Sequence, residues 1–215
     1  IKDNELFFAS KSTNEGPFVG YFKDIFFKTF KEEQIETIRE KIEKDNLSFV
    51  FEVIDPINDP HIIEYNEPKI VLLDMIYNAT EYSKISYEEL KTFGKSNNIE
   101  VKELIYTAND MSEFNKIYEE IISDNYMLNG EYIEGFVIED SNVFMVKTKT
   151  FYYDKWKRLR GKMEKSIKSN DFNIKSKDEL EPVFIEFLKN KYENKEVDVK
   201  NINIINERKE YEDIK

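Results

Sequence analysis

The chain has 215 residues, 40% hydrophobic and 35% charged, with a formal net charge of −12 and no cysteine. That length suits one domain, or one domain with a small appendage. The missing cysteines exclude disulfides and thiolate metal sites, the lone histidine (His61) excludes a multi-histidine metal site, and the acidic balance argues against holding nucleic acid by bulk electrostatics.

No signal peptide opens the chain and no apolar run reaches membrane-spanning length, so the expected setting is cytoplasmic, away from membranes. Residues 5–10, ELFFAS, read as a short strand running into a polar loop at 11–16. Residues 32–44 are an amphipathic helix with Ile35, Ile38 and Ile42 on one face. Residues 47–54, LSFVFEVI, form a strand with one oddity, Glu52 in its middle. Asp55-Pro56 and Asp59-Pro60 then break the backbone, and the near-continuous apolar run 69–77 reads as a central strand.

Ser86 to Glu89 is a capping box, starting a helix that should end near Gly94. Residues 99–106 read as another strand. Residues 112–122 read as a helix with Phe114, Ile117, Ile121 and Ile122 inward, and Asn129-Gly130 as a tight turn. Residues 133–150 form a β-hairpin, with turn formers at Asp140, Ser141 and Asn142. Beyond Tyr153 the chain turns helical, with Trp156, Leu159 and Met163 at core spacing. A further helix covers about 178–192, where Pro182 is tolerable only near the first turn. The charged tail is expected to hold one short strand, 197–205, and then to fray.

Strands and helices interleave irregularly, with hairpins rather than regular βαβ units. The expected fold class is therefore α+β with antiparallel sheets. There is no Gly-rich phosphate loop, so phosphate binding has to come from side chains. The hairpin supplies candidates. Side chains alternate faces along a strand, so Lys147 and Lys149 point the same way as Val143 and Met145. Two ammonium groups on an apolar face are costly to bury without an anion between them. With Glu134 opening the preceding strand, this is what a nucleotide and a metal ion need. From Lys147 to Lys168 nine basic residues (Lys147, Lys149, Lys155, Lys157, Arg158, Arg160, Lys162, Lys165, Lys168) face only Asp154 and Glu164, a strip able to grip a polyanion.

Two stretches, FVFEVIDPINDPHIIEY (49–65) and IEGFVIEDSNVFMVKTKTFYY (133–153), with FFASKST before them, resemble the nucleotidyltransferase domain of ATP-dependent RNA ligases. The nearest likeness is to the bacteriophage tRNA-repair ligase and its bacterial and fungal tRNA-ligase relatives. Four motifs occur in order: the lysine after the early strand (Lys11), the strand glutamate (Glu52), the Glu134-Gly135 pair, and the K-x-K strand (Lys147, Lys149). The aliphatic strand KIVLLDMI also fits. The resemblance implies antiparallel sheets flanking an ATP cleft, helices outside, and a division into a nucleotidyltransferase domain over 1–153 and a helical C-terminal extension over 154–215.

It also implies a chemistry. A lysine becomes lysyl-AMP, AMP passes to an RNA 5′-phosphate, and the RNA 3′-hydroxyl displaces it; ATP and Mg²⁺ are the expected cofactors and RNA, with tRNA as a candidate, the partner. Glu52 would hydrogen-bond the adenosine ribose, Lys11 would contact nucleotide or phosphate, and Leu73 and Val137 would pack on adenine. Glu134 would assist metal binding. Lys147 and Lys149 would bind the α-phosphate, and Lys155, Lys157, Arg158 and Arg160 would meet RNA. His61 carries no catalytic role in this reading.

One departure stands out. No lysine in a K-x-D/N/H-G setting precedes Lys11, and the family's upstream arginine is absent too. The expectation is a chain incomplete at its N-terminus, unable to adenylylate itself. The alternative is a non-catalytic nucleotide- or RNA-binding module that keeps the ligase fold.

Overall fold

A computed structural model describes residues 1, 5–58, 61–63, 65–123, 126–140, 144–169, 180–196 and 204–214. The chain divides into two compact units. One comprises Ile1–Asp59 and Tyr65–Ile105, the other Pro60–Glu64 and Tyr106–Lys215.

In the first unit, helix α1 spans Pro17–Thr29, with Pro17 in the first turn where its missing N–H is harmless. Residues 17–30 receive no element from the sequence pattern, because adjacent aromatics such as Phe26-Phe27 blur the helical period. Burial drives the helix instead. Val19, Ile25 and Phe26 are buried, and the Phe26 ring is met by Phe8 at 5.2 Å, Phe30 at 4.9 Å and Phe51 at 5.8 Å. The strand expected over 5–10 is absent apart from a single bridge at Glu5. Phe8 anchors that segment in the aromatic cluster, so a side chain holds it rather than a backbone ladder.

Helix α2 spans Glu32–Asp45, with Ile38 buried and Ile35 and Ile42 packed beside it as expected. Asn46 closes it in the left-handed conformation at φ 52°, one residue before the sheet begins. Strands β1 (Leu47–Ile54) and β2 (Lys69–Tyr77) have the expected bounds and pair antiparallel, from Leu47 opposite Tyr77 to Ile54 opposite Lys69. Leu47, Phe49, Phe51 and Val53 face the core with Ile70, Leu72 and Met75. The step from Leu72 to Met75 is odd-numbered because Leu73 is the extra residue of a β-bulge.

The outer edge of β2 is shared by two segments. Val101 bridges Leu72, with the Leu72 N–H donating to the Glu100 carbonyl at 2.9 Å, whereas Ile85 N–H donates to Met75 and Tyr77 N–H to Ser83, each at 3.0 Å. The strand expected over 99–106 is therefore reduced to one bridge, since the bulge and residues 83–85 occupy the rest of the edge. Helix α3 (Tyr87–Asn97) starts on the expected capping box: Glu89 Oε2 accepts from the Ser86 N–H at 3.0 Å and Ser86 Oγ accepts from the Glu89 N–H at 3.3 Å. It does not end at Gly94. That glycine permits close approach, since a Cβ there would run into Val101 Cγ1 and lie 2.7 Å from the Ile99 carbonyl oxygen, and Asn98 at φ 51° is the cap.

In the second unit, helix α4 spans Met111–Ile121, capped by Asp110 Oδ1 accepting from the Glu113 N–H at 2.8 Å. Ile121 is buried, Phe114 and Ile117 half-buried. Ile122 points to solvent rather than inward, because it is the C-cap and has left the helical register. The Asn129-Gly130 turn forms as expected, with φ of 54° and 84°. Strands β3 (Gly135–Glu139) and β4 (Met145–Lys149) make the hairpin, shorter at both ends than expected; residues 141–143 of its turn lie outside the described residues.

Helices α5 (Phe151–Ser169), α6 (Leu180–Glu193) and α7 (Ile204–Ile214) follow. Their core contains Tyr152, Tyr153, Trp156, Leu159, Phe184, Leu188 and Tyr211, and Ile62 from the segment between β1 and β2. Arg208 is buried there. Its Nη1 donates to the Ile62 carbonyl at 3.0 Å, and its guanidinium lies 5.4 Å from the Tyr152 ring and 5.7 Å from the Trp156 ring. The inward placement of Trp156 and Leu159 holds; the side chain of Met163 and the start of the helix expected at 178 lie outside the described residues. The strand expected over 197–205 is corrected at its end: residues 197–203 lie outside the described residues, and Ile204 and Ile205 open α7. The tail does not fray there, since burial of Arg208 and Tyr211 holds α7 in place.

The fold is α+β, with two two-stranded antiparallel sheets, helices, and no closed barrel among the described residues. Among them, no helix is long and apolar enough to cross a membrane.

Candidate active site

The second unit builds its site around Thr150. This fully buried residue joins β4 to α5. Its N–H donates to the Glu134 carbonyl at 3.0 Å, and its hydroxyl donates to the Ile133 carbonyl at 2.7 Å. The same hydroxyl accepts from the Tyr153 N–H at 3.3 Å, in the manner of a helix N-cap. One residue thus ties together the start of β3, the end of β4 and the first turn of α5. Gly135 stands opposite Lys149 in the ladder. A Cβ on Gly135 would overlap the Thr148 carbonyl oxygen and approach Lys149 Cα to 2.7 Å, so only glycine brings the strands this close. At the far end, Asp140 Oδ1 accepts from the Phe144 N–H at 2.9 Å and steadies the turn.

Around this frame three charged groups and one ring converge. Lys149 Nζ lies 2.8 Å from Glu134 Oε1 and 4.2 Å from the centre of the Tyr153 ring. Lys157, one turn further along α5, places its Nζ 5.5 Å from the same ring. Burial works against the Lys149 ammonium, but the hydrogen bond and charge of Glu134 outweigh it and hold its pKa above the ordinary lysine value. Burial, then the Lys149 charge, lowers the pKa of Lys157. Burial and Glu134 raise that of the Tyr153 phenol.

Lys147 shares the Lys149 face, opposite Val137, as strand alternation requires. The burial expectation fails for it. Lys147 is exposed and Val137 is 56% exposed, so this end of the face is open to water and carries no desolvation penalty. Lys149 is the half-buried member of the pair, and the anion that meets it is Glu134. Of the basic residues on α5, Lys157 and Arg158 are exposed and Lys155 and Arg160 half-buried. Tyr153 and Thr150 are missing from the sequence-derived site. The signal for Tyr153 was its spacing, four residues after Lys149 at the start of a helix.

The first unit carries Lys11, Glu52 and Leu73. Lys11 is exposed in a tight turn closed by the Ser10 N–H donating to the Thr13 carbonyl at 2.7 Å. Glu52 is exposed, opposite Val71, on the sheet face away from the core, and among the described residues it has no ion-pair partner. Leu73 is the half-buried bulge residue. Beside it Asp74, with a side chain 13% exposed, accepts from Lys84 at 3.1 Å and Lys102 at 2.8 Å.

A cavity of about 280 Å³ in this unit is lined by Tyr21, Asp24 and Lys28 of α1 and by Asp55 and Asn58, none of them sequence-derived candidates. Burial disfavours the charged Asp55 carboxylate. Hydrogen bonds from the Asn58 side chain (2.7 Å), the Asn58 N–H (3.0 Å) and the Ile57 N–H (3.1 Å) prevail and hold its pKa below the usual value.

Among the described residues no group of three acidic or histidine side chains could enclose a metal ion. The half-exposed Glu134 is a single carboxylate. It suits Mg²⁺, which keeps several waters and is held largely by substrate phosphates.

Residues 1–153 match a family model described as RNA ligase. No curated protein matches the chain. The matched stretch contains Lys11, Glu52, Leu73, Glu134, Val137, Lys147 and Lys149, and reaches Tyr153 in the first turn of α5.

Proposed function

The chain belongs to the RNA ligase family, and from that premise we propose that it joins RNA 5′-phosphate and 3′-hydroxyl ends through ATP-dependent, adenylylated steps in cytoplasmic RNA repair, with tRNA among its substrates. The observation that carries this reading is the Glu134–Lys149–Tyr153 cluster, which holds a phosphate-binding cation in a defined position beside an acid.

In the sealing step a 3′-hydroxyl oxygen forms a bond to the 5′-phosphorus, the bond from phosphorus to AMP breaks, and the 3′-hydroxyl proton is lost. Negative charge moves onto the AMP phosphate. Lys149, with Lys147 on the same open face, offsets that charge through hydrogen bonds aimed at phosphate oxygens. Glu134 releases Lys149 to the phosphate and is the residue to hold Mg²⁺, which supplies further positive charge when bound. Glu52 accepts from the ribose, Leu73 and Val137 give apolar surface to adenine, and Lys11 meets nucleotide or phosphate. Residues 1–153 form the nucleotidyltransferase domain in this reading. The extension over 154–215 takes RNA on Lys155, Lys157, Arg158 and Arg160, whose positive charge suits a phosphate backbone.

The test is sealing of a pre-adenylylated RNA strand to a 3′-hydroxyl RNA in Mg²⁺. This step needs no nucleophilic lysine, so it reads the residues present in this chain. Joined product that falls at least 100-fold with Lys149→Ala supports the proposal. No joined product on single-stranded, nicked or anticodon-loop substrates overturns it in favour of a non-catalytic binding module.

A further inference from the structure

Lys149 and Lys157 come from different elements, yet both set their amines over the ring of Tyr153, at 4.2 Å and 5.5 Å from its centre. They are also joined to each other by a side-chain hydrogen bond. Like charges gathered this closely repel. An ammonium has three donors and no lone pair, so a bond between two lysine amines strains one of them toward its neutral form. The lowered pKa of Lys157 is consistent with that strain. Arg160 adds a second positive charge acting on Lys157, and the carboxylate that acts on it is Glu134, already bonded to Lys149. A phosphoryl group has enough acceptor oxygens to take donors from both amines at once, and it would turn their repulsion into shared attraction.

We propose that Lys157 is a phosphate ligand of the transfer site, clamping one phosphoryl group together with Lys149 over the Tyr153 ring. Lys157 thus acts on a phosphate at the reacting centre, and not only as part of an RNA-tracking strip. The inference rests on the reading of Lys149 as a phosphate contact. The phosphoryl group has two possible sources, the nucleotide and the RNA 5′ end.

The experiment measures, by equilibrium binding in Mg²⁺, the affinity of the full chain for ATP, for a short 5′-phosphorylated RNA and for the same RNA with a 5′-hydroxyl. The variants are Lys157→Gln, Lys157→Arg, Lys149→Ala, and Lys116→Gln, which removes an equal charge from α4. Lys157→Gln is expected to weaken a phosphate-bearing ligand about tenfold or more, the scale of one hydrogen bond to a charged group. It should leave the 5′-hydroxyl RNA within about twofold of the Lys116→Gln value, and Lys157→Arg should recover most of the loss. A loss confined to ATP assigns the clamp to the nucleotide, and a loss confined to 5′-phosphorylated RNA assigns it to the RNA end. Equal weakening of both RNAs, or parity with Lys116→Gln on every ligand while Lys149→Ala is impaired, overturns the clamp and spares the role of Lys149. If Lys149→Ala binds all three ligands normally, the reading of Lys149 falls and the clamp with it.

Discussion

Replacing Gly135 by alanine should damage stability and chemistry together. The added Cβ would overlap the Thr148 carbonyl oxygen and sit 2.7 Å from Lys149 Cα, against about 3.4 Å for ordinary contact. Both obstacles are backbone, so no side chain can swing aside, and the strands must part by about 0.7 Å (3.4 − 2.7). Gly135 also sits at φ 157°, where a side chain adds strain. Overpacking and backbone strain together should cost about 2–4 kcal/mol. With a urea dependence of about 2 kcal/mol per molar, the unfolding midpoint should fall by about 1–2 M.

The same movement displaces Lys149 from Glu134 and Tyr153. A misplacement near 1 Å can reduce turnover about 100-fold, so sealing of pre-adenylylated RNA should drop on that scale at temperatures where the variant stays folded. Gly161→Ala is the internal comparison. It lies in α5 with open space where the Cβ would go, and alanine there should stabilise the helix by about 0.5–1 kcal/mol. A Gly135→Ala protein with the parent urea midpoint and the parent sealing rate would refute the steric account of the Glu-Gly pair.

Three further outcomes are expected. Thr150→Val keeps shape but removes the bond to Ile133 and the cap on Tyr153; it should lower stability by about 1–3 kcal/mol in thermal melts, with Thr150→Ser recovering most of it. Asp55→Ala strips the acceptor from the Ile57 and Asn58 N–H groups and should cost about 1–3 kcal/mol near neutral pH. Because the folded carboxyl pKa is depressed, that contribution is complete above the ordinary Asp value of about 3.9 and lost as pH falls through the folded value, so urea midpoints of parent and variant should converge in acid. Arg208→Met should cost about 2–3 kcal/mol by leaving the buried Ile62 carbonyl without its donor, and should alter the emission of Trp156, the one tryptophan in the chain.

Where local chemistry sufficed, the elements were legible. The bounds of β1 and β2 followed from apolar runs between breakers, α3 began on its capping box, and Asn129-Gly130 turned as its φ preference demands. Elements that depend on distant partners were not. The segment 99–106 has strand composition, but the edge it would join is shared with residues 83–85, and the bulge at Leu73 has no marker in the residues around it. Helix α1 is set by aromatic packing on Phe8, Phe30 and Phe51. In the site, alternation placed Lys147 and Lys149 on one face. It could not show that the chain turns at Thr150 into a helix, which is what brings Tyr153 and Lys157 to Lys149 and leaves Lys147 in water.

The insertion of Ile62 into the second core has a consequence for how the protein is made. Residues 60–64 belong to the second unit although the chain on either side belongs to the first. Their partner Arg208 follows 146 positions later. During synthesis β1 and β2 emerge early and can pair at once, while the stretch joining them must wait for α7 before its carbonyl is satisfied. The last helix therefore completes a structure begun near the start. Severing the chain between residues 105 and 106 would not yield two finished halves: the N-terminal piece would carry away Ile62, and the C-terminal piece would fold around a gap where it belongs.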